Sequence, residues 1–361
     1  MKIGVPKEIK IHEYRVGLVP GSVNELVRAG HTVMIESGAG IGIGCSDDEY
    51  KVAGAQIVAS APAVFAAADC IVKVKEPQLP ECAMLRPGQI LFTYLHLAAD
   101  RPQAEALMRS GAHAIAYETV VGRDGGLPLL TPMSEVAGRM SVQVGASLLQ
   151  RDAQGRGILL GGVPGTAPGR VLVIGGGVAG AAAAEIALGM RAAVTVIDKS
   201  LPRLRELDAR FAGHVRTLAS TSETLAREVT DADLVIGSVL IPGAAAPKLV
   251  SEQMVKSMRP GSVLVDIAID QGGCFETSRP TTHAHPTYKV HEVTHYCVTN
   301  MPGAVPRTSA FALNAATLPY LKLIADRGLD AALASDPGFA AGLNVSNGKI
   351  VCAAVAEALR L

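Results

Sequence analysis

Two spacings of apolar residues alternate along this chain. Short runs of consecutive apolar positions end at glycine or at a polar residue, as strands covered on both faces of a parallel sheet do. Between them, apolar residues recur with a helical period. The first set of runs predicts strands at Lys2 to Val5, Thr32 to Ile35, Cys70 to Val74, Gln89 to Leu95 and Ala112 to Tyr117. Helices are expected at Gly21 to Ala29, Asp47 to Ala53, Ala61 to Ala68 and Pro102 to Ser110. Val23, Leu26 and Val27 share a face of the first helix, and Gly30 stops it. Such alternation specifies a doubly wound parallel sheet.

Leu127-Pro128 through Thr131-Pro132 interrupts the pattern, and Thr131 can cap a helix with Pro132 in its first turn. From Ser134 to Gln150, Val136, Met140, Val144 and Leu148 form one stripe. It fits a long helix joining two domains, and equally an ordinary core helix. After a Gly/Pro-rich loop, Gly155 to Gly169, a second alternation begins. Its strands are expected at Val171 to Ile174, Ala193 to Ile197, Val215 to Leu218, Leu234 to Val239, Val263 to Ile269 and Tyr296 to Thr299. Its helices run to about Met190, from Leu201 to Phe211 and from Ser222 to Glu228. Met301 to Pro306 is rich in helix breakers; a helix from Thr308 to Ala325, despite Pro319, and another from Lys349 to Leu359 close the chain. The tail is expected to pack back on the first domain, which makes that domain discontinuous. The fold class is therefore α/β, with two doubly wound, Rossmann-like domains: residues 1–130 with 307–361, and residues 131–306.

Only the second alternation carries a glycine fingerprint. Gly175-Gly176-Gly177-Val178-Ala179-Gly180 follows an apolar strand, opens an Ala-rich helix and precedes a strand that closes on Asp198. In G-x-G-x-x-G, Gly175 permits the tight turn, Gly177 lets a pyrophosphate approach the backbone, and Gly180 allows close helix–strand packing. The N–H groups of the turn and helix start, Val178 and Ala179 among them, then hold the phosphates. A carboxylate roughly 20 residues on accepts the ribose hydroxyls, and Asp198 stands there. Its charge favours NAD, while Lys199 and Arg203 leave NADP open. The second domain is thus the cofactor domain and the first the substrate domain.

Bulk composition narrows the class. Of 361 residues, 49% are apolar and 18% charged, enough to bury two cores. Net charge is zero, so there is no electrostatic footprint for nucleic acid or an anionic membrane. The six cysteines show no C-x-x-C spacing, which argues against structural zinc and for a reducing compartment. The amino terminus has no signal-peptide core, and no apolar stretch is long enough to span a bilayer. A soluble, cytoplasmic enzyme is expected.

Ligands of open α/β sheets bind beyond the carboxyl ends of the strands. The polar residues expected there are Arg15 after the first strand, Lys75, His96, Asp270 and Asn300. Each has a plain alternative. Arg15 suits a surface charge, Lys73 competes with Lys75, His96 suits a hydrogen-bonded structural histidine, and Asp270 before Gln271-Gly272-Gly273 suits a turn. Their shared placement is what favours chemistry.

These residues sit in longer segments. Met1-Lys2-Ile3-Gly4-Val5-Pro6-Lys7-Glu8 with Arg15-Val16, Val74-Lys75-Glu76-Pro77, and Phe92-Thr93-Tyr94-Leu95-His96-Leu97-Ala98 come first. Pro132-Met133-Ser134-Glu135-Val136-Ala137-Gly138-Arg139, the glycine loop, Val265 to Gly273, and Asn300-Met301-Pro302-Gly303-Ala304-Val305-Pro306 follow. In that order they make the chain similar to the bacterial alanine dehydrogenase family, in the wider group that includes the first domain of proton-translocating transhydrogenase. The resemblance implies reversible oxidative deamination of L-alanine to pyruvate and ammonia with NAD, in a homohexamer. It implies that Arg15 and Lys75 bind substrate and that His96 and Asp270 are catalytic. Cofactor contacts are implied at Ser134, Asp198, Arg203, Ser220, Val239, Leu240, Ile267, Ala268, Ile269, Asp270, Val298, Thr299, Asn300 and Met301. Some relatives hold a divalent metal through a Glu and a His one turn apart after the proline of the last long helix. Leu323 and Arg327 stand there, so no metal is expected. A transhydrogenase-type hydride carrier is the rival enzyme reading; its relatives typically lack a histidine at position 96. A nucleotide-binding regulator without chemistry is the third.

Overall fold

The computed structural model describes residues 1–239 and 246–360, and the chain divides into two compact units, Met1–Met133 with Val305–Leu361, and Ser134–Ala304. Each is built on one sheet. In the first unit β1 (Lys2–Val5), β2 (Thr32–Glu36), β3 (Gln56–Val58), β4 (Cys70–Val72), β5 (Ile90–Thr93) and β6 (His113–Ala116) run parallel in the order β6-β5-β4-β1-β2-β3. The second unit contributes β7 (Arg170–Ile174), β8 (Ala193–Asp198), β9 (Arg216–Ala219), β10 (Leu234–Gly237), β11 (Val263–Asp266), β12 (Thr287–Val290) and β13 (Val293–Tyr296). Its parallel strands lie in the order β13-β11-β10-β7-β8-β9, with β12 antiparallel outside β13. The two orders are the same doubly wound arrangement. A late hairpin, β14 (Leu343–Ser346) and β15 (Lys349–Ile350), extends the first sheet antiparallel to β6.

The apolar runs become strands because helices cover both faces. Cys70, Ile71 and Val72 are all fully buried, as are Val263, Leu264 and Val265. Ile71, Leu91, Leu95, Phe65 and Leu107 belong to the core of the first unit; Leu172, Ile174, Val235, Leu264 and Phe275 belong to that of the second. Each such side chain contributes about 1.5–3 kcal/mol.

Several strands are shorter than hydropathy predicts. β4 stops at Val72 rather than Val74 and β5 at Thr93 rather than Leu95, because the N–H groups of Val74 and Leu95 donate to the carboxylates of Glu8 and Glu118. The expected strand Val263 to Ile269 ends at Asp266 and continues as a tight helical turn, Ile267–Gln271. The buried Asp266 carboxylate accepts from the N–H of Ala268 at 3.1 Å and of Cys274 at 2.8 Å, which turns the chain. Asp270 therefore sits on that turn and not at a strand end. β13 lies earlier than Tyr296 to Thr299, because His291 and Glu292 both adopt left-handed backbone and close a hairpin with β12. The predicted helix from Lys349 begins only at Ala353. Asn347 and Gly348, both with positive φ, instead make the two-residue turn that Asn-Gly favours.

His295 on β13 is fully buried. Its Nδ1 bonds the Val293 carbonyl at 3.0 Å, Nε2 meets the Thr277 hydroxyl at 2.7 Å, and the ring stacks on Tyr288. Burial, helped by nearby Arg279 and His291, holds the imidazole at about 4, against 6.5 for a solvated histidine. Between those two values the unfolded chain binds the proton and the folded chain does not, so stability is complete above pH 6.5 and falls on acidification toward pH 4. The loss approaches about 3 kcal/mol. Urea titrations at pH 7 and pH 4 should show that excess pH dependence in the native chain and not in His295→Gln.

Candidate active site

In the first sheet the connections diverge between β1 and β4, the point where doubly wound folds bind ligands. The segment after β1 crosses that point closely. A side chain at Gly17 would lie 2.4 Å from the Val72 carbonyl oxygen at the end of β4. Asn314, buried on the helix Pro306–Arg327, ties the segment down: its Oδ1 accepts from the N–H of Val19 at 2.9 Å and its Nδ2 donates to the Gly17 carbonyl at 3.1 Å. Arg15 is thereby buried, not a surface charge. Glu13 takes one edge of its guanidinium in a two-point ion pair, 2.7 Å from Nε and 2.5 Å from Nη2, while Nη1 lies 3.1 Å from the Met133 sulfur. This fixes the guanidinium plane and turns the Nη1 side away from Glu13. Burial disfavours the charge, yet the Glu13 hydrogen bonds and charge outweigh it and raise the pKa.

Lys73 and Lys75 differ in their surroundings. Lys73 has no exposed surface; its ammonium lies 3.0 Å from Glu8 and 2.7 Å from Glu81. Glu8 also accepts from the N–H groups of Val74 and Lys75, and Tyr117 donates to the Lys73 carbonyl. Lys73 is a structural cation. Lys75, two residues on, is also largely buried, with its backbone N–H 3.4 Å from Glu8. Burial alone would raise the neighbouring Glu76 carboxyl, but Lys75 first, and Lys10 paired to it, hold it below the ordinary carboxylate range. Glu76 also feels the charge of His96, which places Lys75 and His96 in one neighbourhood.

His96 follows β5 with left-handed backbone, φ 51° and ψ 34°. Leu95 and Leu97 on either side are buried, while the His96 side chain is 45% exposed. The ring stacks on Tyr94, 5.8 Å between centroids and 12° between planes. Tyr94 donates to the Leu129 carbonyl at 2.6 Å and lies in the field of Arg15. Arg15, Lys75 and His96 thus gather at the carboxyl ends of neighbouring strands. Glu13, Glu118 and Asn314 escaped the sequence reading; Glu118 follows a predicted strand and would have appeared had polar residues after β6 been included.

In the second unit the glycine loop has the geometry of its fingerprint. Gly175 has φ 98°. A side chain at Gly180 would lie 1.8 Å from the Gly175 carbonyl oxygen, whereas one at Gly177 would meet nothing within 4 Å. Gly177 precedes the helix Val178–Gly189 with no side chain capping it. Asp198 ends β8, and its carboxylate accepts from the N–H of Gly176 at 2.7 Å and of Ser200 at 2.8 Å. Arg203 donates from Nε to the Gly176 carbonyl at 2.6 Å and pairs with Glu206. Ser220 donates its N–H to the Asp198 carbonyl at 3.0 Å. Val239 lies against Gly175 after β10. Leu240 falls outside the described residues. On the turn after β11, Ala268 and Ile269 are buried, Ile267 half-buried and Asp270 exposed. Val298 and Met301 are buried, Thr299 and Asn300 half-buried, and Asn300 is left-handed. Ser134 is half-buried on the helix Thr131–Leu148. The open approach at Gly177, the uncapped helix start and the adjacent carboxylate fit a dinucleotide: Gly177, Val178 and Ala179 would face its pyrophosphate and Asp198 its ribose.

Family models described as alanine dehydrogenase/PNT, N-terminal domain and C-terminal domain match residues 4–137 and 141–353. The chain belongs to the alanine dehydrogenase/PNT family. It is 58% identical over 361 residues to an alanine dehydrogenase of Halomonas elongata, covering 100% of this chain and 97% of that one. A solved L-alanine dehydrogenase superposes with a TM-score of 0.96 at 53% identity, covering 100% of this chain and 99% of the other. A transhydrogenase from Sinorhizobium meliloti does so with a TM-score of 0.84 at 25% identity, over 98% and 100% of the two chains. Among the described residues, no helix of this family member is long and apolar enough to cross a membrane.

Three predictions follow from the packing of this alanine dehydrogenase/PNT chain. Gly177→Ala should alter unfolding by under about 1 kcal/mol, since the added carbon has space, yet weaken nicotinamide dinucleotide binding measured by fluorescence titration. Gly180→Ala should destabilise the fold by about 1–3 kcal/mol or more, because its carbon collides with backbone. Lys73→Met should cost about 3–5 kcal/mol by leaving Glu8 and Glu81 buried without a counter-charge, and adding Glu8→Gln and Glu81→Gln should restore much of that loss in urea unfolding.

Proposed function

We propose that this chain catalyses the reversible, NAD-dependent oxidative deamination of L-alanine to pyruvate and ammonia. Identity of 58% to an alanine dehydrogenase along the whole chain carries the reading. The rival transhydrogenase reading rests on 25% identity. Arg15, its plane set by Glu13, binds the substrate carboxylate as a planar cation. Lys75 neutralises charge developing on the carbonyl oxygen of pyruvate and on the carbinolamine that precedes it. When bound, the nicotinamide supplies the hydride acceptor for the α-carbon. His96 carries protons to and from the water that attacks the imine, a task suited to an imidazole. Asp270 orients or deprotonates the amine.

NAD is favoured over NADP because the charge of the Asp198 carboxylate closing β8 would repel a 2′-phosphate, and Arg203 is already engaged by the Gly176 carbonyl and Glu206. Ser134, Ser220, Val239, Leu240 and the stretches 267–270 and 298–301 complete the cofactor contacts. A cytoplasmic homohexamer is part of the same proposal, and the unpaired thiols of all six cysteines agree with a reducing compartment.

The native chain should oxidise NADH, followed by loss of its absorbance, only when pyruvate and ammonium are both present. Binding without turnover would make it a nucleotide-binding regulator instead. His96→Ala and Asp270→Asn should each lower kcat by about 100-fold or more while leaving NADH affinity within about 3-fold. Full turnover in both variants would remove the two residues from the chemistry.

A further inference from the structure

We infer that Glu118 is the positioning residue for His96: its carboxylate holds the left-handed peptide that aims the imidazole. The inference deepens the proposed alanine dehydrogenase reaction and rests on His96 acting in it. Glu118 lies on the short turn Tyr117–Thr119 that follows β6, next to β5 in the sheet. Both of its oxygens lie 3.2 Å from the N–H of Leu95, and Oε1 accepts from the N–H of His96 at 2.6 Å. The same Oε1 is 3.9 Å from Nδ1 of the imidazole. One carboxylate therefore takes both peptide N–H groups that β5 releases, and stands beside the ring as a negative charge without bonding it.

The consequence is directional. A residue other than glycine in the left-handed region needs local compensation, and here the bonds fall on its own N–H and the preceding one. With Leu95 and Leu97 both buried, the left-handed turn at 96 is what brings the side chain between them out of the core. Tyr94 then limits the ring to one plane by stacking, its own hydroxyl anchored on the Leu129 carbonyl. Backbone, ring plane and adjacent charge are fixed by groups that touch His96. Arg15 and Lys75 are held by other partners, Glu13 for the first and the Glu8-bound backbone for the second.

Glu118→Ala in the full chain should lower kcat for pyruvate and ammonium by about 100-fold, the scale of a misplaced reacting group, with KM for pyruvate within about 3-fold. Glu118→Gln keeps a carbonyl oxygen for the two N–H groups and should recover kcat to within about 5-fold of native. The double variant Glu118→Ala/His96→Ala should be no slower than His96→Ala alone, because Glu118 acts only through the imidazole. Losses that multiply in the double variant, or native kcat in Glu118→Ala, would overturn the assignment. Should Glu118→Ala fail to fold, the Glu118→Gln variant with and without His96→Ala decides by the same comparison. If His96→Ala alone keeps native turnover, the histidine's role falls first and the positioning role with it, whatever Glu118→Ala does.

Discussion

Where a parallel strand stops, its last peptide N–H groups lose their ladder partners, and in this chain carboxylates from elsewhere in the sequence take them. Glu8 serves the end of β4, Glu118 the end of β5 and Asp198 the glycine turn after β7, while at β11 the strand's own last residue, Asp266, takes the N–H groups of the turn that follows. An unpaired peptide group in such a place would cost about 1–3 kcal/mol, and a buried carboxylate is costly unless it is bonded or neutralised. Each need meets the other. The arrangement also explains why the buried Lys73 exists: two carboxylates brought inside require a cation, and a lysine two positions before Lys75 supplies it.

The two sheets share a strand order, yet their switch points hold opposite equipment. Between β7 and β10 the chain has discarded side chains, so that backbone N–H groups and a helix end can meet an anionic pyrophosphate. After β1 and β4 it has kept long cationic side chains: Glu13 holds the Arg15 guanidinium, and Glu8 accepts from the backbone N–H of Lys75. A pyrophosphate is large and needs close backbone approach, whereas a small carboxylate is better met by a guanidinium fork of fixed plane. The common fold supplies the places, and the residues at the strand ends supply the difference.

Much of this was readable beforehand. The apolar runs named most of the parallel strands, and the glycine spacing identified which sheet meets a dinucleotide, because buried strands and phosphate turns are both local in sequence. The hairpin at Asn347-Gly348 was equally local and was simply overlooked. Other features were not local. The partner of the Leu95 and His96 N–H groups is Glu118, and the clamp on Gly17 is Asn314, near the other end of the chain. Strand ends were overestimated for the same reason: an apolar run looks the same whether its last N–H meets a neighbouring strand or a distant carboxylate.

By itself, the order of residues determined the alternation of elements and the glycine turn with its acid at position 198, and it offered Arg15, Lys75 or Lys73, His96, Asp270 and Asn300 as polar candidates near strand ends. These depend on periodicity, backbone freedom and spacing, which a linear reading contains. Only the tertiary structure decided that Lys73 is a buried counter-ion, that Arg15 is held by Glu13, and that Asp270 rides a turn made by Asp266. Those are outcomes of burial and of which charges meet, and both arise only when distant segments are folded together.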